Sequence, residues 1–199
     1  MQRLIVVVDT QADFMHADGA LAVNGAEALI APMRAWLAAL NPAETAGVLF
    51  TFDTHVADHY IGSAEAEQFP IHCIRGTPGW QNVLDAHAVP AGIPTYRLEK
   101  GVFDMWAEPD VVIEAIASGT AISRDAFFAG LASAGVAQVT VIGVAADYCV
   151  RWAIDGLVAR GFAVDVPPPL TRGIARQIAQ VLAEDFAGAT VRLATVDEA

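Results

Sequence analysis

An open, mostly parallel α/β sheet with helices on both faces is the fold this sequence predicts, and three observations predict it. Short apolar runs of strand length alternate with stretches of helical periodicity from one end of the chain to the other. The first run, Leu4-Ile5-Val6-Val7-Val8, is continuously apolar and ends in an acid, as a central parallel strand covered on both faces should. Hydrophobic residues make up 55% of the 199 residues against 17% charged, which supplies much fully buried sheet and is far from a disordered composition.

After that first strand, Ala26 to Leu40 carries helical spacing and stops before Asn41-Pro42. Gly47-Val48-Leu49-Phe50-Thr51-Phe52 is the next strand and again ends in an acid, Asp53. A loop region follows, then a strand over Thr95-Tyr96-Arg97-Leu98 that leads into Glu99-Lys100-Gly101. Two helices are expected next, the second over Ala126 to Ala134. Val139-Thr140-Val141-Ile142 reads as a strand and Tyr148 to Arg160 as a helix; Phe162 to Val166, a further helix and Thr190 to Leu193 complete the set. Pro167-Pro168-Pro169 is a stiff loop, and no repeat or linker divides the chain, so one domain is expected.

Asp9, Asp53, Lys100 and the turn at Cys149 all fall just past the carboxyl ends of these strands, the edge at which open α/β sheets bind ligands. An acid after a strand is more often a turn or helix cap, but four reactive groups on one rim are hard to attribute to chance. Cys149 closes Gly143-Val144-Ala145-Ala146-Asp147-Tyr148-Cys149-Val150 and is expected in the first turn of its helix. There, unpaired backbone N–H groups and the positive helix terminus favour thiolate over thiol.

Composition narrows the function classes. A formal net charge of -12, with only 11 Lys and Arg, argues against nucleic-acid binding, which needs clustered cations for phosphate. No apolar run reaches membrane-spanning length. The N-terminus runs straight into a strand without the features of a secretory signal, and two cysteines suit a reducing compartment, so a cytoplasmic protein is expected. Small-molecule chemistry is the better prior. The apolar helix face of Ala153, Leu157 and Val158 fits core better than subunit contact, which leaves a homo-oligomer open.

The ordered motifs resemble those of the isochorismatase-like cysteine hydrolases, and within them the nicotinamidase/pyrazinamidase branch. Asp9-Thr10-Gln11-Ala12-Asp13-Phe14, followed by Gly19-Ala20-Leu21 and Gly25-Ala26, is similar to that family's Asp-x-Gln-x-Asp-Phe opening. Asp53-Thr54-His55, with His59 four residues on, resembles its Asp-Trp-His segment; Pro70-Ile71-His72-Cys73, with Gly76-Thr77-Pro78-Gly79, resembles its Pro-x-His-Cys segment. Glu99-Lys100-Gly101 stands where the family keeps its lysine, and Gly143 to Val150 is similar to its nucleophile turn.

The resemblance implies a single isochorismatase-like three-layer domain over 1–199 and a catalytic triad of Asp9, Lys100 and Cys149. In these roles Cys149 attacks an amide carbon to form a thioester, Asp9 carries the proton from thiol to leaving ammonia, and Lys100 favours the anions of both. It also implies an oxyanion hole from the amides of Ala145 and Cys149, with a cis peptide between Val144 and Ala145. Asp53, His55 and His72 become ligands of one divalent metal, zinc first and iron or manganese next, with His59 ranked below them as a ligand found in only some relatives. Phe14 and Ala145 are implied to line the substrate, and Trp106, in the loop after Lys100, is expected to stack on the ring of a different or larger substrate. Cys73 is read as structural.

The implied substrate is a small-molecule amide, nicotinamide or pyrazinamide. Gly101-Val102-Phe103-Asp104-Met105-Trp106-Ala107-Glu108-Pro109 departs from the Asp-Ser-Tyr-Ser-x-Phe segment usual in that branch. Thr54 and Ala146 also replace the usual tryptophan and threonine. Two alternatives therefore stand beside it: a related hydrolase of another small amide or, against the metal motif, of isochorismate; and a non-catalytic metal- or partner-binding protein on the same fold.

Overall fold

A nine-stranded sheet organises the computed structural model, which describes residues 2–198. Its strands are β1 (Arg3–Val8), β2 (Thr45–Asp53), β3 (Thr95–Lys100), β4 (Val112–Ala115), β5 (Ala121–Ser123), β6 (Gln138–Val144), β7 (Ala163–Val166), β8 (Thr171–Arg172) and β9 (Val191–Leu193). The helices are α1 (Ala12–Met15), α2 (Ile30–Ala38), α3 (Ala57–Tyr60), α4 (Arg124–Ser133), α5 (Cys149–Ala159) and α6 (Ile178–Asp185). Strand order is β5-β4-β3-β2-β1-β6-β7-β9, with β8 paired to the end of β6. The chain builds outward from β1 through β2 and β3, then returns to place β6 on the other side of β1. That reversal opens a crevice beyond the carboxyl ends of β1 and β6.

The side-chain alternation of β1 divides the core. Leu4, Val6 and Val8 pack with Phe127 and Phe128 of α4, Val150, Ile154 and Leu157 of α5, and Val181 of α6. Ile5 and Val7 pack on the other face with Met33 and Leu37 of α2. Every residue from Leu4 to Val8 is at most 1% exposed, which is why that run carries no polar alternation. Ala153 and Leu157 belong to this core and Val158 packs against it, so the α5 face is internal.

Where the sequence suggests a first helix after Lys100, the structure has an antiparallel hairpin, β4 and β5, on the edge of β3. Val112 is half exposed while Ile113 is buried, the two-residue period of a strand, and Gly119 supplies the positive φ of 69° in the turn. Short β-branched runs of this length are ambiguous by periodicity alone. Among the described residues no helix is long and apolar enough to cross a membrane.

Candidate active site

Each strand end delivers one reactive side chain to the crevice. Asp9 follows β1, Asp53 and Lys100 are the last residues of β2 and β3 and pair in parallel register, and Cys149 begins α5. None of the four is more than 4% exposed. Lys100 Nζ lies 2.8 Å from Asp9 Oδ2, 3.4 Å from Asp53 Oδ1 and 3.5 Å from Cys149 Sγ. The Asp9 carboxylate stands close enough to the same thiol to push its pKa up. Gly143 makes this convergence sterically feasible: its φ is +121°, and a Cβ there would sit 2.1 Å from the Val8 carbonyl oxygen. Only a residue without Cβ lets the end of β6 close on the end of β1.

Burial opposes the thiolate that the helix terminus and the lysine favour. Burial pushes Cys149 well above the usual thiol range; Lys100 pulls it down, but the carboxylates of Asp9 and Asp53 oppose the lysine. For Lys100 burial alone would favour the neutral amine, but Asp53 and Asp9 outweigh it and hold the ammonium charged. The sulfur therefore needs a proton acceptor at hand. Asp9 Oδ2, buried and paired with Lys100 at 2.8 Å, keeps a second lone pair to serve.

The turn before Cys149 presents two unspent donors. The Val144–Ala145 peptide is cis. The N–H groups of Ala146, Tyr148 and Val150 donate to Arg172 O and, for the last two, Ala145 O; those of Ala145 and Cys149 donate to no backbone carbonyl among the described residues. Asp147 accepts from the N–H groups of Ile174, Ala175 and Arg176 and so fixes the loop behind the turn.

A second cluster adjoins the first through Asp53. Asp53, His55, Glu65 and His72 are all buried and bring one donor atom each to within 4.8 Å of one another. Asp53 Oδ2 lies 3.1 Å from His55 Nε2 and 3.0 Å from His72 Nε2; Glu65 Oε1 lies 3.5 and 3.3 Å from the same nitrogens and has no hydrogen-bond partner. Ligands about 2.0–2.1 Å from a tetrahedral ion stand about 3.3–3.4 Å apart, so these spacings suit a small divalent metal. His72 Nδ1 faces Pro70 O at 2.8 Å, the outer contact that leaves Nε2 free to ligate. Burial would lower both histidines, but Asp53 and Glu65 overcome it and raise His55 to about 9 and His72 to about 10. Asp53 is held far below the carboxylate range: burial opposes this, and Lys100 and the two imidazoles overcome it.

Glu65 takes the place that the sequence reserved for His59. His59 sits exposed in α3 and is outside the cluster, whereas its neighbour Tyr60 turns inward and donates to the carbonyls of Phe69 and Pro70. Nothing local in Glu65-Ala66-Glu67-Gln68 distinguishes this acid from a surface one; only the fold of the loop carries it to His72. Gln11 is the second residue whose role was hidden. Its Nε2 donates to Asp53 O and Trp80 O, and its Oε1 accepts from Asp53 N, at 2.7, 3.0 and 2.7 Å.

Phe14 lies with its ring 5.2 Å from the His72 ring, buried in the core beside the cluster. Trp106 is elsewhere, a correction to the expectation that it lines the substrate. Its indole fills the space over Gly156, donates to Trp152 O at 3.1 Å and carries the Arg160 guanidinium 3.8 Å from its centroid. Gly156 is seven residues along α5 from Cys149, about 10 Å down the helix axis. The aromatic group beside the nucleophile turn is instead Phe69, Phe103 and Tyr148, with centroids 5.3 to 5.5 Å apart pair by pair.

The isochorismatase domain model matches residues 3–197. The nicotinamidase/pyrazinamidase of Mycobacterium tuberculosis (strain ATCC 25618 / H37Rv) is 32% identical over 197 residues, 96% of this chain and 97% of that protein. A pyrazinamidase of Pyrococcus horikoshii, solved in complex with zinc, superposes with a TM-score of 0.71 at 26% identity, covering 98% of this chain and 99% of that one. PnC1 from L. infantum, solved in complex with nicotinate, has the same fold at a TM-score of 0.73 and 24% identity, over 98% and 93% of the two chains.

Proposed function

The chain belongs to the isochorismatase family, and we propose that it is a metal-dependent cysteine amidohydrolase that converts nicotinamide and pyrazinamide to their carboxylic acids and ammonia. One observation carries the reading: Asp9, Lys100 and Cys149, distant in sequence, meet within hydrogen-bonding reach in a buried crevice. Cys149 Sγ gives its proton to Asp9 Oδ2 as it attacks the amide carbon, and the carbonyl oxygen becomes an oxyanion facing the N–H groups of Ala145 and Cys149. Asp9 then returns the proton to the amide nitrogen, the C–N bond breaks, and ammonia leaves a thioester on Cys149. Water, deprotonated by Asp9, cleaves the thioester to the acid and restores the thiol. Lys100, 2.8 Å from Asp9 Oδ2 and 3.5 Å from Cys149 Sγ, supplies the positive charge that offsets the two carboxylates facing the sulfur.

Asp53, His55, Glu65 and His72 would hold one divalent metal, with zinc the first candidate from the donor set and from the zinc-bound relative. Bound there, it would supply a Lewis-acid anchor for a ring nitrogen; four protein donors require it to expand beyond four-coordination for that purpose. Phe14 would bear on the ring. The test is ammonia release from nicotinamide, pyrazinamide and a panel of other small amides. Turnover of the first two is expected and Cys149→Ala should abolish it while retaining metal; activity confined to another amide would overturn the substrate, and an active Cys149→Ala the nucleophile.

A further inference from the structure

Resting on that cysteine-hydrolase reading, we propose that Thr51 is a positioning residue that divides the work between the two oxygens of Asp9, occupying Oδ1 so that Oδ2 is the one presented to the nucleophile. Thr51 lies in β2, is fully buried, and spends both functions of its hydroxyl on a single residue. It donates to Asp9 Oδ1 at 2.6 Å and accepts from the Asp9 N–H at 3.2 Å. The second contact holds a backbone that needs holding, because Asp9 has φ +47°, sparsely populated for a residue with a Cβ. The first settles an orientation that a carboxylate does not fix for itself, its terminal torsion being broad and two-fold.

The outcome is an asymmetric base. Oδ1 accepts the short hydrogen bond from Thr51, whereas Oδ2 faces Lys100 at 2.8 Å, the ammonium that also lies 3.5 Å from Cys149 Sγ. Oδ2, on the lysine side shared with the thiol, is then the oxygen offered to a proton leaving sulfur. Threonine is well fitted to hold it there, because its branched side chain is stiff at χ1 and its strand is locked by parallel pairing on both sides. The other charged or titratable groups around Asp9 are Lys100 from β3, which faces Oδ2, Asp53 from β2, Cys149 from α5 and the buried Cys73.

Thr51→Val keeps the shape and removes the hydroxyl, Thr51→Ala is a second deletion in case valine prevents folding, and Thr51→Ser restores the hydroxyl. Each is compared with the parent for kcat, KM, bound metal and the rate of Cys149 alkylation by iodoacetamide, read by mass spectrometry of the Cys149 peptide. In the deletions kcat should fall at least about 30-fold, part of the roughly 10²–10⁴ that positioned acid–base groups contribute, with KM and metal content unchanged. Alkylation should slow in parallel, and Thr51→Ser should stay within about threefold of the parent in both. A deletion variant that retains both rates, a serine variant that falls as far, or a loss that tracks missing metal overturns the proposal. Failure of the parent to hydrolyse either amide would fault the substrate instead; the alkylation comparison would still decide on Thr51.

Discussion

Replacing Gln11 with leucine asks whether the metal-cluster carboxylate is held by its own strand or by a side chain reaching across from the end of β1. The Gln11 amide makes three hydrogen bonds, two of them to the backbone N–H and carbonyl of Asp53, and is fully buried. Leucine has a similar volume and satisfies none of them. Two buried Asp53 groups left unpaired cost about 1–3 kcal/mol each, and the better burial of leucine returns about 1–2 kcal/mol, for a net loss centred on about 2.5 kcal/mol. The same freedom loosens the Asp53 carboxylate, and losing an outer-shell support of this kind typically weakens metal binding about 10–100-fold. Urea melts of metal-stripped protein measure the first quantity, and zinc titration against a chromophoric chelator measures the second. If Gln11→Leu binds zinc within about threefold of the parent and loses less than about 1 kcal/mol, the clamp is incidental and Asp53 is placed by β2 alone.

Glu65→Gln keeps the volume and removes the charge, so zinc affinity should drop by at least about tenfold while His59→Ala leaves it within about twofold; calorimetric titration showing the reverse order would restore His59 as the ligand. Trp106→Ala should cost about 3 kcal/mol in a urea melt through lost packing, with KM for the amide nearly unchanged; a raised KM at constant stability would return Trp106 to the substrate. Because burial holds the Cys149 thiol above its ordinary range, its thiolate fraction grows only as pH rises through and past that range. Its alkylation rate should therefore still be climbing at pH 9, and a plateau below pH 7 would show an activated thiolate instead.

The sequence exposes reactive residues when strand order alone sets their position. Asp9, Asp53, Lys100 and Cys149 each end a strand or begin a helix, so the parallel topology had to bring them to one rim. Residues placed by loops were less legible. Glu65 reaches His72 through a loop without periodicity, and His59 and Tyr60 are consecutive on a single helical turn, where spacing does not say which points inward. Trp106 failed for a related reason: an aromatic near Lys100 in sequence suggests the pocket, but the missing side chain of Gly156 makes a slot for it further down α5. The hairpin read as a helix because Val112-Ile113 is too short for a period to declare itself. The opposing pull of burial on Cys149 was not legible, because helix terminus and lysine are visible in sequence, and burial is not.

The two clusters form one electrostatic unit, and Lys100 is the member they share. Asp9, Asp53 and Glu65 are three acids, each no more than 7% exposed, against the single ammonium of Lys100. With the thiol neutral, two negative charges are left to balance in a region that solvates them poorly. Without metal, the carboxylates meet that need by raising His55 and His72 to about 9 and 10, which keeps a proton on each imidazole at neutral pH. A divalent ion held by the four donors with neutral imidazoles would supply the same two positive charges. Metal and protons are then alternatives for one site, so metal entry must release protons and weaken as pH falls. Lys100 would couple this balance to the nucleophile, because Asp53, the carboxylate proposed to ligate, is 3.4 Å from the ammonium that also faces Asp9 and Cys149. A metal that draws charge from Asp53 leaves more of the lysine's field for the sulfur.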